Sequence, residues 1–97
     1  SLEVFKLYPN PMKEYSILTF NNSSNERHTL ELYNTFGQVV QTITDIKTSQ
    51  VIISKENLSI GVYFFKLSTE ERHRISGKLM TLRPTLITSL RALAQIG

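Results

Sequence analysis

Two histidines, His28 and His73, are the only imidazoles in this 97-residue chain, and a nucleophilic triad would need one of them oriented by an acid. The single aspartate, Asp45, falls in an expected turn. Both histidines sit beside Glu or Arg at strand starts and are expected to be solvated surface residues. Glu70 and Glu71 form the only adjacent carboxylate pair, at an expected turn tip where solvation accounts for them; glycoside hydrolysis needs two carboxylates facing each other across a cleft. Cysteine is absent, which excludes disulfides and thiolate metal sites, and no His and carboxylate cluster has metal-ligand spacing. Four glycines form no phosphate loop. The chain reads as non-enzymatic, with no cofactor and no metal.

Binding is the remaining chemistry. Tyr8, Tyr15, Tyr33 and Phe64 are the residues from which a flat sugar-binding platform could be built, although tryptophan is missing and strand tyrosines also serve as half-buried sheet cover. Asn22-Ser-Ser24 and Asn57-Leu-Ser59 match the glycosylation acceptor pattern. The net charge of +3 conceals a body that is nearly neutral, with nine Lys and Arg against eight Asp and Glu over residues 1–80. Lysines alternate with acids there, so no basic stripe is available to nucleic acid. No apolar run reaches the length of a membrane-spanning helix, and the first residues lack the pattern of a secretory signal peptide. An exported parent would carry that signal elsewhere.

These side chains must be positioned by strands. The centre of the pattern is Leu30-Glu-Leu-Tyr-Asn-Thr-Phe-Gly-Gln-Val-Val40, which predicts strand, turn and strand: Leu30 and Leu32 share one face and Glu31 and Tyr33 the other. Asn34 and Gly37 supply the turn chemistry, Asn34 to cap the bend with its own side chain and Gly37 to give the backbone access to positive φ. Before the hairpin, strands are predicted over residues 4–8 and 15–20, separated by Pro9-Asn10-Pro11, whose prolines deny ladder donors and hold the backbone through a bend. After it come a second hairpin arm over residues 38–44, a turn over 45–49 and a β-branched strand over 50–54. One helical turn over residues 55–60 is expected to plug the core with Leu58. Gly61 resets the backbone for the strongest strand, residues 62–68, with Tyr63, Phe65 and Leu67 inward and Phe64 outward beside Val62 and Lys66. A last strand over residues 73–80 turns Ile75 and Leu79 inward and Lys78 outward.

Seven short strands with turn signals between them predict an all-β fold, an immunoglobulin-like seven-stranded antiparallel β-sandwich, with a barrel as the alternative. One domain over residues 1–80 is large enough to bury roughly 65% of its unfolded surface. Residues 81–97 differ in character. Thr81 to Pro84 should break the last strand, and Leu86, Ile87, Leu90, Leu93 and Ala94 then fall along one face of a marginal C-terminal helix of about three turns.

Three islands occur in fixed order: Leu7-Tyr-Pro-Asn-Pro11, Leu32-Tyr-Asn-Thr-Phe-Gly-Gln-Val39, and Leu58-Ser-Ile-Gly-Val-Tyr-Phe-Phe-Lys-Leu67 before a closing Gly77-Lys-Leu-Met80. Together they resemble the C-terminal sorting domain of the type IX (Por) secretion system of Bacteroidetes, over residues 4–80. The resemblance implies an immunoglobulin-like domain at the C-terminus of a larger exported protein, in transit through the periplasm to the outer membrane, the cell surface or the medium. The implied partners are the outer-membrane translocon and a sortase-like cysteine peptidase that removes the domain and attaches the cargo to anionic lipopolysaccharide. The residues it makes candidates for translocon recognition are Pro9, Asn10, Pro11, Asn34, Gly37, Gly61, Tyr63, Gly77, Lys78 and Leu79. Lys78 is the first choice for contact, and an edge position would let the last strand add to a partner sheet. Family members end close to the Lys-Leu-Met position, so residues 81–97 are a departure that an appended sequence, a frame change or a genuine extension would explain. The alternative function is an adhesive or carbohydrate-binding sandwich module with a glycan as partner. Exposed Phe64 and open sheet edges leave room for a homodimer.

Overall fold

The computed structural model describes residues 4–56 and 58–82. Seven strands follow one another, β1 Phe5–Tyr8, β2 Tyr15–Phe20, β3 His28–Tyr33, β4 Val39–Ile46, β5 Gln50–Ser54, β6 Gly61–Ser68 and β7 His73–Thr81. They form a three-stranded sheet of order β1-β2-β5 and a four-stranded sheet of order β4-β3-β6-β7, antiparallel at every strand pair. The chain is all-β and sandwich-like, as its alternation predicts. In outline it is immunoglobulin-like, but β4 pairs within the four-stranded sheet, where constant-type domains place their fourth strand on the other side. The expected tail helix lies outside the described residues.

Alternation decides what fills the interior. Leu18, Phe20, Val51 and Ile53 point in from one sheet, and Leu30, Leu32, Ile46, Tyr63, Phe65, Leu67, Ile75 and Leu79 from the other. Each fully buried side chain of this size stabilises the fold by about 1.5–3 kcal/mol. Phe5 completes the stack, its ring meeting Phe65 edge-on at 5.8 Å.

The β3–β4 turn shows why residue types at the bend matter. Gly37 N–H donates to Asn34 O at 3.0 Å and Asn34 N–H to Gln38 O at 3.0 Å, leaving three residues in the loop with Gly37 at φ +81°. That is a turn closed by a glycine bulge. The Asn34 carboxamide oxygen accepts from Phe36 N–H at 2.9 Å and Gln38 N–H at 3.0 Å, so one side chain satisfies two loop amides.

Four expectations are corrected. The turn over residues 45–49 is shorter, because β4 continues to Ile46, and Asp45 sits inside the strand at φ +59°. The register explains this: Leu30 pairs Ile43 while His28 pairs Ile46, so the extra residue is a bulge that returns Ile46 to the core. Asp tolerates the left-handed backbone better than most residues, and its carboxylate meets Arg27 at 3.1 Å. Among the described residues of 55–60 none is helical: Glu56 has φ +37°, outside the right-handed helical region, and Leu58 N–H donates to Lys55 O at 2.6 Å, although Leu58 does pack against the core. Thr81 does not break the last strand. It is buried, accepts from Gly61 N–H at 2.8 Å and donates to Ser59 O at 2.7 Å, pinning the start of β6.

The fourth correction concerns His28, which is fully buried rather than solvated. Inward Leu30 and Leu32 fix the period of two, and His28 falls on the same face. Its Nδ1 faces Glu26 O at 2.9 Å, which can only accept, and its Nε2 faces Arg74 Nη1 at 2.9 Å, which can only donate. The ring is therefore the Nδ1–H tautomer, lying edge-on to Phe20 at 5.1 Å.

Candidate functional site

The topology brings the sequence islands to one end of the sandwich. Residues 9–14, 34–38, 55, 56 and 58–60 and the end of β7 all lie at that pole, while residues 21–27, 47–49 and 69–72 lie at the other. A recess of about 320 Å³ joins two islands directly, lined by Asn34, Thr35, Phe36, Ile60, Gly61 and Tyr63 among others. Phe36 stands 86% exposed at its rim. Gly61, at φ +152°, begins β6 in a conformation that side chains disfavour.

The first island reaches the closing Gly77–Met80 segment through Asn10. Its Nδ2 donates to Lys78 O at 3.0 Å and its Oδ1 accepts from Met80 N–H at 3.0 Å, so the carboxamide pairs with the outer edge of β7 as a peptide group would. Met12 continues the contact in the backbone, donating to Met80 O at 2.6 Å and accepting from Leu82 N–H at 2.8 Å, while its side chain is fully buried. Pro9 and Pro11 stand exposed on either side of Asn10, and Ser16 Oγ donates to the Pro9 carbonyl. The chain thus crosses from the three-stranded sheet to the edge of the four-stranded one and back between β1 and β2. An open final edge was expected; it is occupied from Lys78 onward, which confines strand addition to the stretch nearer His73. Replacing Asn10 with Ala removes two hydrogen bonds at an exposed edge and should lower stability by about 1–2 kcal/mol. The amide of Met80 should lose hydrogen-exchange protection in the same variant, a change that NMR reads residue by residue.

The other candidates divide by side. Tyr63 and Leu79 face the core, and Tyr63 donates its hydroxyl to Ser59 O at 2.9 Å. An approaching protein meets neither side chain while the domain is folded. Gly77 faces inward as well, beneath the Phe65 ring. Lys78 is exposed on the outer face of β7, beside Phe64 of β6. Sequence reasoning missed Met12 and Thr81. Thr81 continues the inward alternation of Ile75 and Leu79, a signal that was available.

The aromatic residues do not assemble into one platform. Tyr33 and Phe64 are cross-strand partners on the outer face of the four-stranded sheet. Tyr8 and Tyr15 lie on β1 and β2, outward on the opposite side of the molecule. A single sugar-stacking surface of all four is excluded by the two-layer geometry. Asn22, read as a glycosylation acceptor, is buried with its carboxamide bonded to backbone groups, and Asn57 lies outside the described residues.

Electrostatics around Tyr33 are local. Its hydroxyl donates to Glu31 Oε1 at 2.8 Å, and this bond, with lesser help from desolvation and the carboxylate charge, holds the phenol above its ordinary value of 10.0. The sign follows: the protonated phenol is favoured by folding, so the contribution is present below the unfolded value and is lost as pH rises through the folded one. Ultraviolet titration should find Tyr33 the later to ionise in the native protein than in its Glu31→Ala variant.

His73 Nε2 contacts Ser76 Oγ at 2.6 Å on the exposed start of β7, and His28 has both ring nitrogens engaged inside the fold. Among the described residues no group of three or more His, Asp or Glu could hold a metal ion.

No curated protein matches the chain. The model of one family, described as the secretion system C-terminal sorting domain, matches residues 6–81 and so takes in all the islands that converge at the pole. With its seven strands and that match spanning most of its length, the chain belongs to the secretion system C-terminal sorting domain family.

Proposed function

We propose that this domain directs a larger cargo protein from the periplasm through the type IX outer-membrane translocon, after which a sortase-like cysteine peptidase removes it and the cargo is attached to the cell surface or released. The family match over residues 6–81 carries this reading, since a C-terminal secretion sorting signal acts by being recognised and has no reaction to perform. The geometry supports it, because the islands share one pole while Phe5, where the described chain enters β1, pairs with Phe20 near the other. A cargo joined upstream would leave the island pole clear. Residues 1–80 are the proposed sorting unit, and Pro9, Pro11, Asn34, Gly37, Gly61 and Lys78 its accessible recognition candidates, with Asn10, Tyr63, Gly77 and Leu79 holding them in place.

The test is an export assay. The chain is fused behind a fluorescent protein that carries its own signal peptide and is produced in a type IX-competent cell. Fluorescence should reach the surface or medium there and stay in the periplasm of a strain without the translocon. Equal release from both strains would overturn the reading.

A further inference from the structure

The outer face of the four-stranded sheet carries an unpartnered apolar patch with lysines of one sign at its border. Across β3, β6 and β7, Tyr33 pairs with Phe64 and Phe64 with Lys78; one step along, Glu31 pairs with Lys66 and Lys66 with Ser76; one step the other way, Val62 pairs with Met80. All these side chains point away from the core, and Phe64 and Met80 are 45% and 39% exposed. Because Ser76 is small, the face dips there into a recess of about 410 Å³ beside Tyr33, Phe64, Lys66 and Lys78, with Gly77 at its base.

The charges choose the occupant. Lys66 Nζ lies 5.8 Å over the Tyr33 ring, and among the described residues neither Lys66 nor Lys78 is in an ion pair. Glu31, the carboxylate next to Lys66 in this patch, already accepts from Tyr33. A symmetric pairing of two copies through this face would gather four lysines around two Glu31 carboxylates that each already accept from Tyr33, an excess of one sign. A partner with an apolar centre and carboxylates at its border meets opposite charge instead, the usual arrangement of aromatic anchors inside a charged rim. We infer that this face is the docking surface for a protein of the secretion machinery that presents an apolar, carboxylate-bearing patch, with Phe64 as its anchor. The inference rests on the sorting reading and adds where the domain is gripped and by what chemistry.

The export assay tests both with the full chain. Phe64→Ala, and separately Lys66→Glu with Lys78→Glu, should each cut export at limiting expression by about tenfold or more, the size expected when an anchor or a matched rim is lost. Lys78→Arg should keep export, as should Ile52→Ala on the outer face of the other sheet. Purified variants should melt where the parent does. A photo-crosslinking amino acid at position 64 should give an adduct with an outer-membrane protein. If the parent chain is not exported, the sorting reading itself fails. If the parent and both surface variants are exported alike, the docking face is wrong while sorting stands. Adducts only with lipid, or only between two copies of the chain, would also overturn the proposal.

Discussion

Gly77→Ala should destabilise the domain by about 3 kcal/mol, the upper part of the range for overpacking a core. A methyl built on Gly77 would stand 2.5 Å from Cε1 and 2.6 Å from Cζ of Phe65, distances that no relaxation of the methyl itself can open. Something must move, and Phe65 is the wrong residue to ask. It is 2% exposed, sits on the central strand pairing β3 with β7, and has Phe5 against its edge. Displacing its ring would disturb the one aromatic contact that links β1 to the opposite sheet. For a domain of this size the loss corresponds to a fall in melting temperature of about 12–24 °C. Thermal denaturation of the purified chain measures it, and Phe65→Leu supplies the second arm. If the clash is the cause, alanine at 77 should cost much less when residue 65 is leucine, a coupling of about 1 kcal/mol or more in a double-mutant cycle. Additive effects would mean that Gly77 matters for its backbone alone.

The same position bears on how much of this protein could be read from sequence. Strands with strict alternation were legible because burial on one face enforces a period of two: Tyr63, Phe65 and Leu67 face inward and Phe64 outward, as their order requires. Gly37 was legible because a tight hairpin needs one positive φ and glycine provides it. Gly77 read as part of a motif, but its role depends on Phe65, which is twelve residues away in sequence and adjacent only through the ladder. His28 was misread by weighting its charged neighbours above its parity with Leu30 and Leu32. The Asn10 clamp had no local signal at all, since its partners are Lys78 and Met80. Propensity and periodicity describe a residue's own element. Side-chain bonds to the backbone of a distant strand are decided by the topology.

Asn22→Ala should be a comparable loss, about 2–4 kcal/mol, although Asn22 lies in a loop. Its Nδ2 donates to the carbonyls of Glu26 at 2.9 Å, Lys47 at 3.1 Å and Thr48 at 3.0 Å, and its Oδ1 accepts from Glu26 N–H at 2.9 Å. One carboxamide therefore closes the β2–β3 loop on itself and ties it to the β4–β5 turn. Alanine takes the Asn22 partner from Glu26 N–H and from the carbonyls of Lys47 and Thr48 in a partly buried site, at roughly 1–3 kcal/mol for each that water cannot reach, while Glu26 O keeps its bond from His28 Nδ1–H. Asn22→Asp keeps the shape but turns a carboxylate oxygen toward carbonyls, so at neutral pH it should destabilise at least as much as alanine; a mild effect would mean that packing matters there and hydrogen bonding does not. Asn21→Ala, one residue earlier and exposed, should change stability by less than about 0.5 kcal/mol. The location gives this variant a second use. Asn22 is at the pole away from the sequence islands, so at a temperature where Asn22→Ala is still folded its export should match the parent's. A variant at the docking face should fail under the same conditions while losing no stability. That contrast separates a machinery that reads the surface of a folded domain from one that responds to how firmly the domain is folded.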